Sequence, residues 1–246
     1  TEVGTRVPAD ARLEVEGRPL PARSRVYLVL NKPTGVLCTN APEERRPRAI
    51  DLVRTPAGTR LFCVGRLDLD SRGLVLLTND GDFAARVLHP RYGVPRTYWV
   101  RVKGRMTPEA VGALARGVWL AEGRTGPVRV RIDRRTRDWS MCLVTVREGM
   151  NRELRRVFAR VGFPVLELTR TRIGPVSVRG LRPGQARPLT RAEVEGLLRP
   201  AAGPAASRPA SPPAWIGEHA ETGSARRGRV RVRSRRSARS GAGPLR

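Results

Sequence analysis

Histidine, cysteine, lysine and aromatic side chains are all scarce in this chain of 246 residues. The histidines are His89 and His219, and the cysteines are Cys38, Cys63 and Cys142, with no CxxC pair. Those ligands are too few and too scattered for zinc, so no metal is expected. A sparse, odd cysteine count fits a reducing cytoplasm, with the thiols as ordinary buried side chains. No apolar run approaches the roughly 18–20 residues of a membrane-spanning helix, so no membrane partner is expected. The first residues carry no signal-peptide apolar core, and a start at Thr1 without methionine reads as a fragment.

Negative charge is the other shortage. Asp and Glu number 22 against 48 Lys and Arg, for a net charge of +26 and a pI near 11.8. All the basic residues are arginine except Lys32 and Lys103. Part of that bias can be genomic base composition. Its sign still matters, because any cation that contacts phosphate releases counterions. The expected partner is therefore a polyanion, most simply nucleic acid.

Three zones follow from patterning. Residues 1–23 hold short extended pieces with a turn at Glu16-Gly17. Residues 24–199 carry nearly all the patterned hydrophobicity, which 39% apolar content makes sufficient for a core. Residues 200–246 are rich in Ala, Pro, Ser, Gly and Arg and bury too little to offset chain entropy. Ten of them are arginine, so this tail reads as a disordered arm for RNA or as a solvated segment of biased composition.

In the middle zone "VYLVL" (26–30), "LFCV" (61–64) and "LVLLT" (74–78) predict buried strands. "TYWVRVKG" (97–104) alternates with period two and predicts a strand with one wet face. "VRVRI" (128–132) and "SMCLVTV" (140–146) add two more. "TPEAVGALARG" (107–117) predicts a helix capped by Thr107 with Pro108 in its first position. "NRELRRVFARVG" (151–162) predicts an amphipathic helix with Leu154, Val157, Phe158 and Val161 on one face. "TRAEVEGLL" (190–198) predicts a last capped helix. The fold class is α+β, with adjacent strands and few helices.

"CVGRLDLDSRGLVLLTNDGD" (63–82) raises the chemical question. Asp68 falls on the loop that leaves a buried strand, where functional groups often sit. A carboxylate there serves as nucleophile or base, or merely as an Asx-turn residue. Asp70 reads as solvent-facing. Asn79-Asp80-Gly81 reads as a strand-to-helix turn with an N-cap, ahead of a role in holding RNA. Tyr98 can stack on a splayed base or move a proton, or simply fill a strand position. "REGMNRELRRVF" (147–158) sets a loop before a basic helix, suited to phosphate or to pairing a carboxylate, or simply a solvated basic face. Spacing alone leaves these alternatives open.

"LNKPTGVLCT" (30–39), "GRLDLDSRGLVLLTNDGD" (65–82) and "EGMNRELRRVF" (148–158) together resemble the bacterial ribosomal-RNA pseudouridine synthases of the RsuA/RluB branch. "HPRYGVPRTYWVRVKG" (89–104) and the stretch 168–198 resemble them too, in the same order. The resemblance spans about residues 25–199, and residues 1–22 look like the end of a small alpha-L RNA-binding domain. It implies a pseudouridine synthase fold, with a largely antiparallel mixed sheet flanked by helices and loops. It implies Asp68 as the catalytic aspartate, Tyr98 as the active-site tyrosine and Arg155 as the basic residue that pairs with Asp68. Leu154 would pack against the base, and Arg66 would help hold the flipped nucleotide. Lys32, Asn151, Arg152 and Arg156 complete the expected RNA contacts. Ser71 and Arg96 stand where threonine and lysine are usual.

The implied reaction converts uridine to its carbon-linked isomer without cofactor or metal. The rival readings are a non-catalytic ribosome-assembly factor and a glycosidase. The glycosidase lacks a convincing second carboxylate. The expected substrate is ribosomal RNA, 23S ahead of 16S, free or in a precursor particle, and the expected state is a monomer.

Overall fold

A computed structural model describes residues 14–19, 24–55, 59–147 and 152–199. The expected tail and most of the expected N-terminal remnant lie outside them. In chain order the elements are β1 (Glu14–Val15), β2 (Arg18–Pro19), β3 (Tyr27–Lys32), β4 (Phe62–Val64), β5 (Arg72–Thr78), α1 (Gly81–Leu88), β6 (Arg96–Lys103), α2 (Pro108–Arg116), β7 (Trp119–Leu120), β8 (Gly123–Arg124), β9 (Arg129–Arg135), β10 (Trp139–Val146), α3 (Glu153–Arg160), β11 (Val165–Ile173), β12 (Val176–Ser177), β13 (Ala186–Pro188) and α4 (Arg191–Leu198). β1 and β2 pair across a turn at Glu16 and Gly17, both at positive φ.

Nine strands form one sheet along the path β13-β3-β5-β11-β6-β10-β9, with β4 added to β5 and β12 to β11. Every pairing is antiparallel except β5 with β11. β5 pairs along one edge with β3, from Tyr27↔Thr78 to Lys32↔Gly73. Its other edge is divided. β11 takes Arg72 and Gly73, and β4 takes Leu76 to Thr78. The loop from β4 back into β5, residues 65–71, therefore emerges where that edge changes partner. Gly73 makes the contact with β11 possible. At φ +109 a Cβ would lie 2.1 Å from the Arg170 carbonyl oxygen.

The apolar residues divide the same way. One cluster lies mainly under β6, β10, α2 and α3 and includes Val100, Val144, Leu114 and Phe158, with Leu67 and Val75 reaching in. A second gathers Leu28, Leu30, Val36, Leu61 and Leu77 around β3 and β5. The half-buried Cys38 and Cys63 pack against both.

The caps use short polar side chains as expected. Asp80 accepts the Phe83 amide at 3.1 Å and the Tyr27 hydroxyl at 2.7 Å. Asn79 accepts the Val26 amide at 2.7 Å, which ties the turn to β3. Thr107 caps α2, and Thr190 with Glu193 forms a capping box on α4.

The expected wet face of "TYWVRVKG" holds only in part, with Lys103 exposed and Thr97 and Arg101 half-buried. β6 is a central strand between β11 and β10. On the supposedly wet side Trp99 is 3% exposed, and Arg101 pairs with Glu167 at 2.9 Å. The period-two signal marks alternation, but cover on the second face depends on neighbours distant in sequence.

Gly73→Ala is expected to lower unfolding stability by about 3 kcal/mol, because a positive φ and a backbone collision act together. A urea titration superimposing on wild type would contradict this account of the β5–β11 contact.

Candidate active site

The loop between β4 and β5 is held at several points. Gly65, at φ +76, turns the chain out of β4. Leu67 goes into the core at 8% exposure. The Ser71 amide donates to the Asp68 carbonyl at 3.1 Å, and the Gly35 amide donates to the Leu69 carbonyl at 2.9 Å. With Leu67 anchored inside, Asp68 faces a cleft of about 560 Å³, within the size range of small-ligand sites. Tyr98 from β6, Leu154 and Arg155 from α3, and Arg66 share its walls. Tyr98 and Leu154 are 8% and 5% exposed.

Two arginines from the start of α3 meet the loop's two carboxylates. Arg152 Nη1 lies 2.9 Å from Asp68 Oδ2 and 4.0 Å from Asp70 Oδ1. Arg155 Nη2 lies 2.9 Å from Asp70 Oδ2, and its Nε lies 3.7 Å from Asp68 Oδ2. The tightest contact to Asp68 thus comes from Arg152, whereas Arg155 binds Asp70 most closely and reaches Asp68 at longer range. Arg152 sits in left-handed backbone at φ 46, just before the helix. Arg155 is the better covered of the two and also donates to Ser71 Oγ at 3.3 Å and to the Val165 carbonyl at 3.4 Å. Among the described residues both ion-pair contacts to Asp68 fall on Oδ2. Asp70 is therefore part of this charge cluster. Its i, i+2 spacing from Asp68 was visible in the sequence, but the two arginines shared by both were not.

Other expected contacts behave differently. Lys32 is 0% exposed, and its Nζ donates to the carbonyls of Pro33 and Val36 at 3.0 and 2.8 Å. An ammonium sealed in that way cannot touch a phosphate, so its expected role as an RNA contact is corrected to an internal brace. Burial lowers its pKa, while Cys38, Asp70 and Asp68 nearby work in the opposite direction. Arg156 pairs with Glu122 through both guanidinium nitrogens, which raises its pKa through those hydrogen bonds. Arg66 is exposed at the cleft wall. Asn151 lies outside the described residues.

Arg170 escaped the sequence reading. It is 3% exposed, lines the cleft and faces no carboxylate within ion-pair distance among the described residues. Its Nε donates to the Leu74 carbonyl at 2.7 Å and its Nη1 to the Arg66 carbonyl at 3.4 Å. One buried guanidinium thus spans from the start of the Asp68 loop to β5. Its Nη2 is buried without a hydrogen-bond partner, a costly arrangement unless the charge serves the site. The available signal was its phase, since Leu168 and Arg170 share one face of a strand. Arg96 is likewise buried, with its pKa lowered by desolvation, and donates to the carbonyls of Arg147 and Val87. Among the described residues no three of His, Cys, Asp and Glu converge to hold a metal ion.

A carboxylate held at one oxygen by arginine, above an aromatic and aliphatic slot on a strongly basic protein, suits chemistry on an extruded nucleotide. Comparison with known proteins agrees. Residues 26–160 match the family model described as RNA pseudouridylate synthase, and the chain belongs to that family. It is 37% identical over 200 residues to ribosomal large subunit pseudouridine synthase B of Bacillus subtilis, spanning 80% of this chain and 81% of that protein. It is 43% identical over 204 residues to an uncharacterised RNA pseudouridine synthase of Mycobacterium tuberculosis, spanning 81% and 80%. A crystal structure of a pseudouridylate synthase superimposes with a TM-score of 0.66 at 30% identity, covering 80% of this chain and 84% of that one. The mostly antiparallel α+β architecture is that of this family.

Arg170→Lys keeps a buried charge but cannot span both carbonyls. Turnover is expected to fall by up to about 10²-fold through misplacement of Asp68, with RNA affinity within a few-fold of wild type. Single-turnover and binding measurements separate these quantities, and unchanged turnover would remove Arg170 from the site's support.

Proposed function

We propose that this protein isomerises a particular uridine of 23S ribosomal RNA, with Asp68 as the group that acts on the ribose. The observation that carries this reading is the placement of Asp68 at the cleft, with its Oδ2 2.9 Å from Arg152 and Tyr98 and Leu154 in the same walls. The isomerisation of uridine in ribosomal RNA follows from the family. The preference for the large subunit is supported by the names of two relatives, synthase B of Bacillus subtilis and ribosomal large subunit pseudouridine synthase E of Vibrio vulnificus, the second 33% identical over 186 residues.

In this reading the target uridine leaves its stack, at a cost on the order of a few kcal/mol, and enters the slot between Tyr98 and Leu154. Asp68 either attacks the ribose carbon or removes a sugar proton. The bond from ribose to nitrogen 1 breaks, uracil turns, and carbon 5 forms the new bond. Carbon 5 then loses its proton and nitrogen 1 gains one, so composition is unchanged. Tyr98 holds the ring and assists the loss of the carbon 5 proton. Arg152 and Arg155 keep Asp68 oriented, and Arg66 holds the nucleotide's backbone. The protein would act as a monomer in the cytoplasm, on free 23S RNA or a precursor particle. Supporting the monomer, the exposed large apolar side chains among the described residues are only Leu69, Leu88, Trp119 and Leu166.

Release of tritium from carbon 5 of uridine tests the proposal. A labelled 23S transcript or precursor particle is expected to lose label with wild type and to retain it with Asp68→Ala. Loss of label from 16S RNA alone would overturn the subunit assignment. Equal release by Asp68→Ala would overturn the role of Asp68.

A further inference from the structure

Trp119 is the most exposed large apolar side chain among the described residues, at 67% against 37–46% for Leu69, Leu88 and Leu166. It belongs to the β7–β8 hairpin, whose strands have two residues each. A hairpin this short has little stability of its own, yet it is firmly built in. The Val118 amide donates to Thr125 Oγ1 at 3.0 Å, and the Thr125 amide donates to the Val118 carbonyl at 2.9 Å. At Gly117 the two chains come so close that a Cβ would lie 2.3 Å from the Thr125 carbonyl oxygen. The indole is thus presented on a rigid support.

Its surroundings have one sign. Trp119 and Arg124 are direct partners in the hairpin, so their side chains project from the same face. Arg124 Nη2 donates to the Arg116 carbonyl at 2.9 Å, which ties its guanidinium to the end of α2, and Arg116 itself is exposed there. The hairpin's only acid, Glu122, is engaged by Arg156. Arg156 follows Arg155 directly on α3, the helix that binds the Asp68 loop. The platform is therefore tied to the cleft wall by a helix of eight residues, about 12 Å long.

An exposed aromatic ring on the same hairpin face as an anchored arginine, with a second exposed arginine at the adjoining helix end, suits single-stranded RNA. The ring stacks on a base, and the cations take the neighbouring phosphates. We propose that the β7–β8 hairpin is a second RNA contact, where an unpaired base flanking the target uridine stacks on Trp119 while Arg124 and Arg116 bind the adjoining phosphate. The proposal rests on the reading of this protein as an RNA-modifying enzyme and adds a determinant of which RNA it holds.

The test measures binding of a 23S transcript to the Asp68→Ala protein, alone and with Trp119→Ala, Trp119→Phe or Arg124→Gln. Trp119→Ala is expected to weaken binding about tenfold and Trp119→Phe much less, because stacking needs a ring rather than an indole. Arg124→Gln should reduce the salt dependence by about one phosphate contact. With Asp68 intact, Trp119→Ala should raise KM for tritium release about tenfold and leave kcat within about twofold, the mark of lost uniform binding. Unchanged binding and KM in Trp119→Ala would overturn the contact while wild-type release leaves the enzymatic reading standing. Weakened binding in Trp119→Ala with no release by wild type on any RNA would support the contact and sink the enzymatic reading instead. Equal weakening by Trp119→Phe and Trp119→Ala would overturn stacking.

Discussion

The parallel contact between β5 and β11 is the constraint on which the site depends. It joins β13, β3 and β5 to β11, β6, β10 and β9, through the register Thr169↔Arg72 and Arg170↔Gly73. Asp68 belongs to the chain on one side of that seam, and Tyr98, Leu154 and Arg155 belong to the other. Gly73 lets the backbones approach, and the Arg170 side chain reaches back across to the carbonyls of Leu74 and Arg66. The seam therefore sets the distance from carboxylate to tyrosine, and the cleft lies above it. Loosening the seam would separate the groups without removing any of them.

Charge is used in two ways. Outward arginines such as Arg116, Arg124, Arg129 and Arg131 are exposed and contribute to attraction for a polyanion. Inward ones do structural work. Arg170 and Arg96 hold carbonyls from buried positions, and Arg187 pairs with Glu193 at the start of α4. At the loop between β4 and β5 the uses meet, because Arg152 and Arg155 bind Asp68 and Asp70 at the mouth of a basic cleft. A net charge of +26 therefore overstates the number of cations available to RNA.

Sequence reasoning was strongest where signals are local. The caps at Asp80, Thr107 and Thr190, the strand "LVLLT" and the loop position of Asp68 follow from hydrogen-bonding groups and periodicities within a few residues. It was weakest where partners are distant. Lys32 was expected to contact RNA, but the return of the chain at Val36 and its place in β3 enclose it. Arg156 read as a phosphate ligand because nothing nearby identified Glu122, 34 residues away, as its partner. Asp70 is exposed as expected, but its two arginine partners lie more than eighty residues on and left no local sign.

The sequence by itself determined that this is a basic α+β protein. Through three motifs in order it also determined the family, and hence the class of reaction. Motif residues carry that information because their chemistry and spacing are properties of the chain. Tertiary structure alone decided which arginine binds which carboxylate, that Arg170 supports the Asp68 loop from below, and that Trp119 stands exposed on a fixed hairpin. The first two outcomes depend on segments distant in sequence meeting at one split edge of β5, and no local pattern encodes where a sheet changes partner.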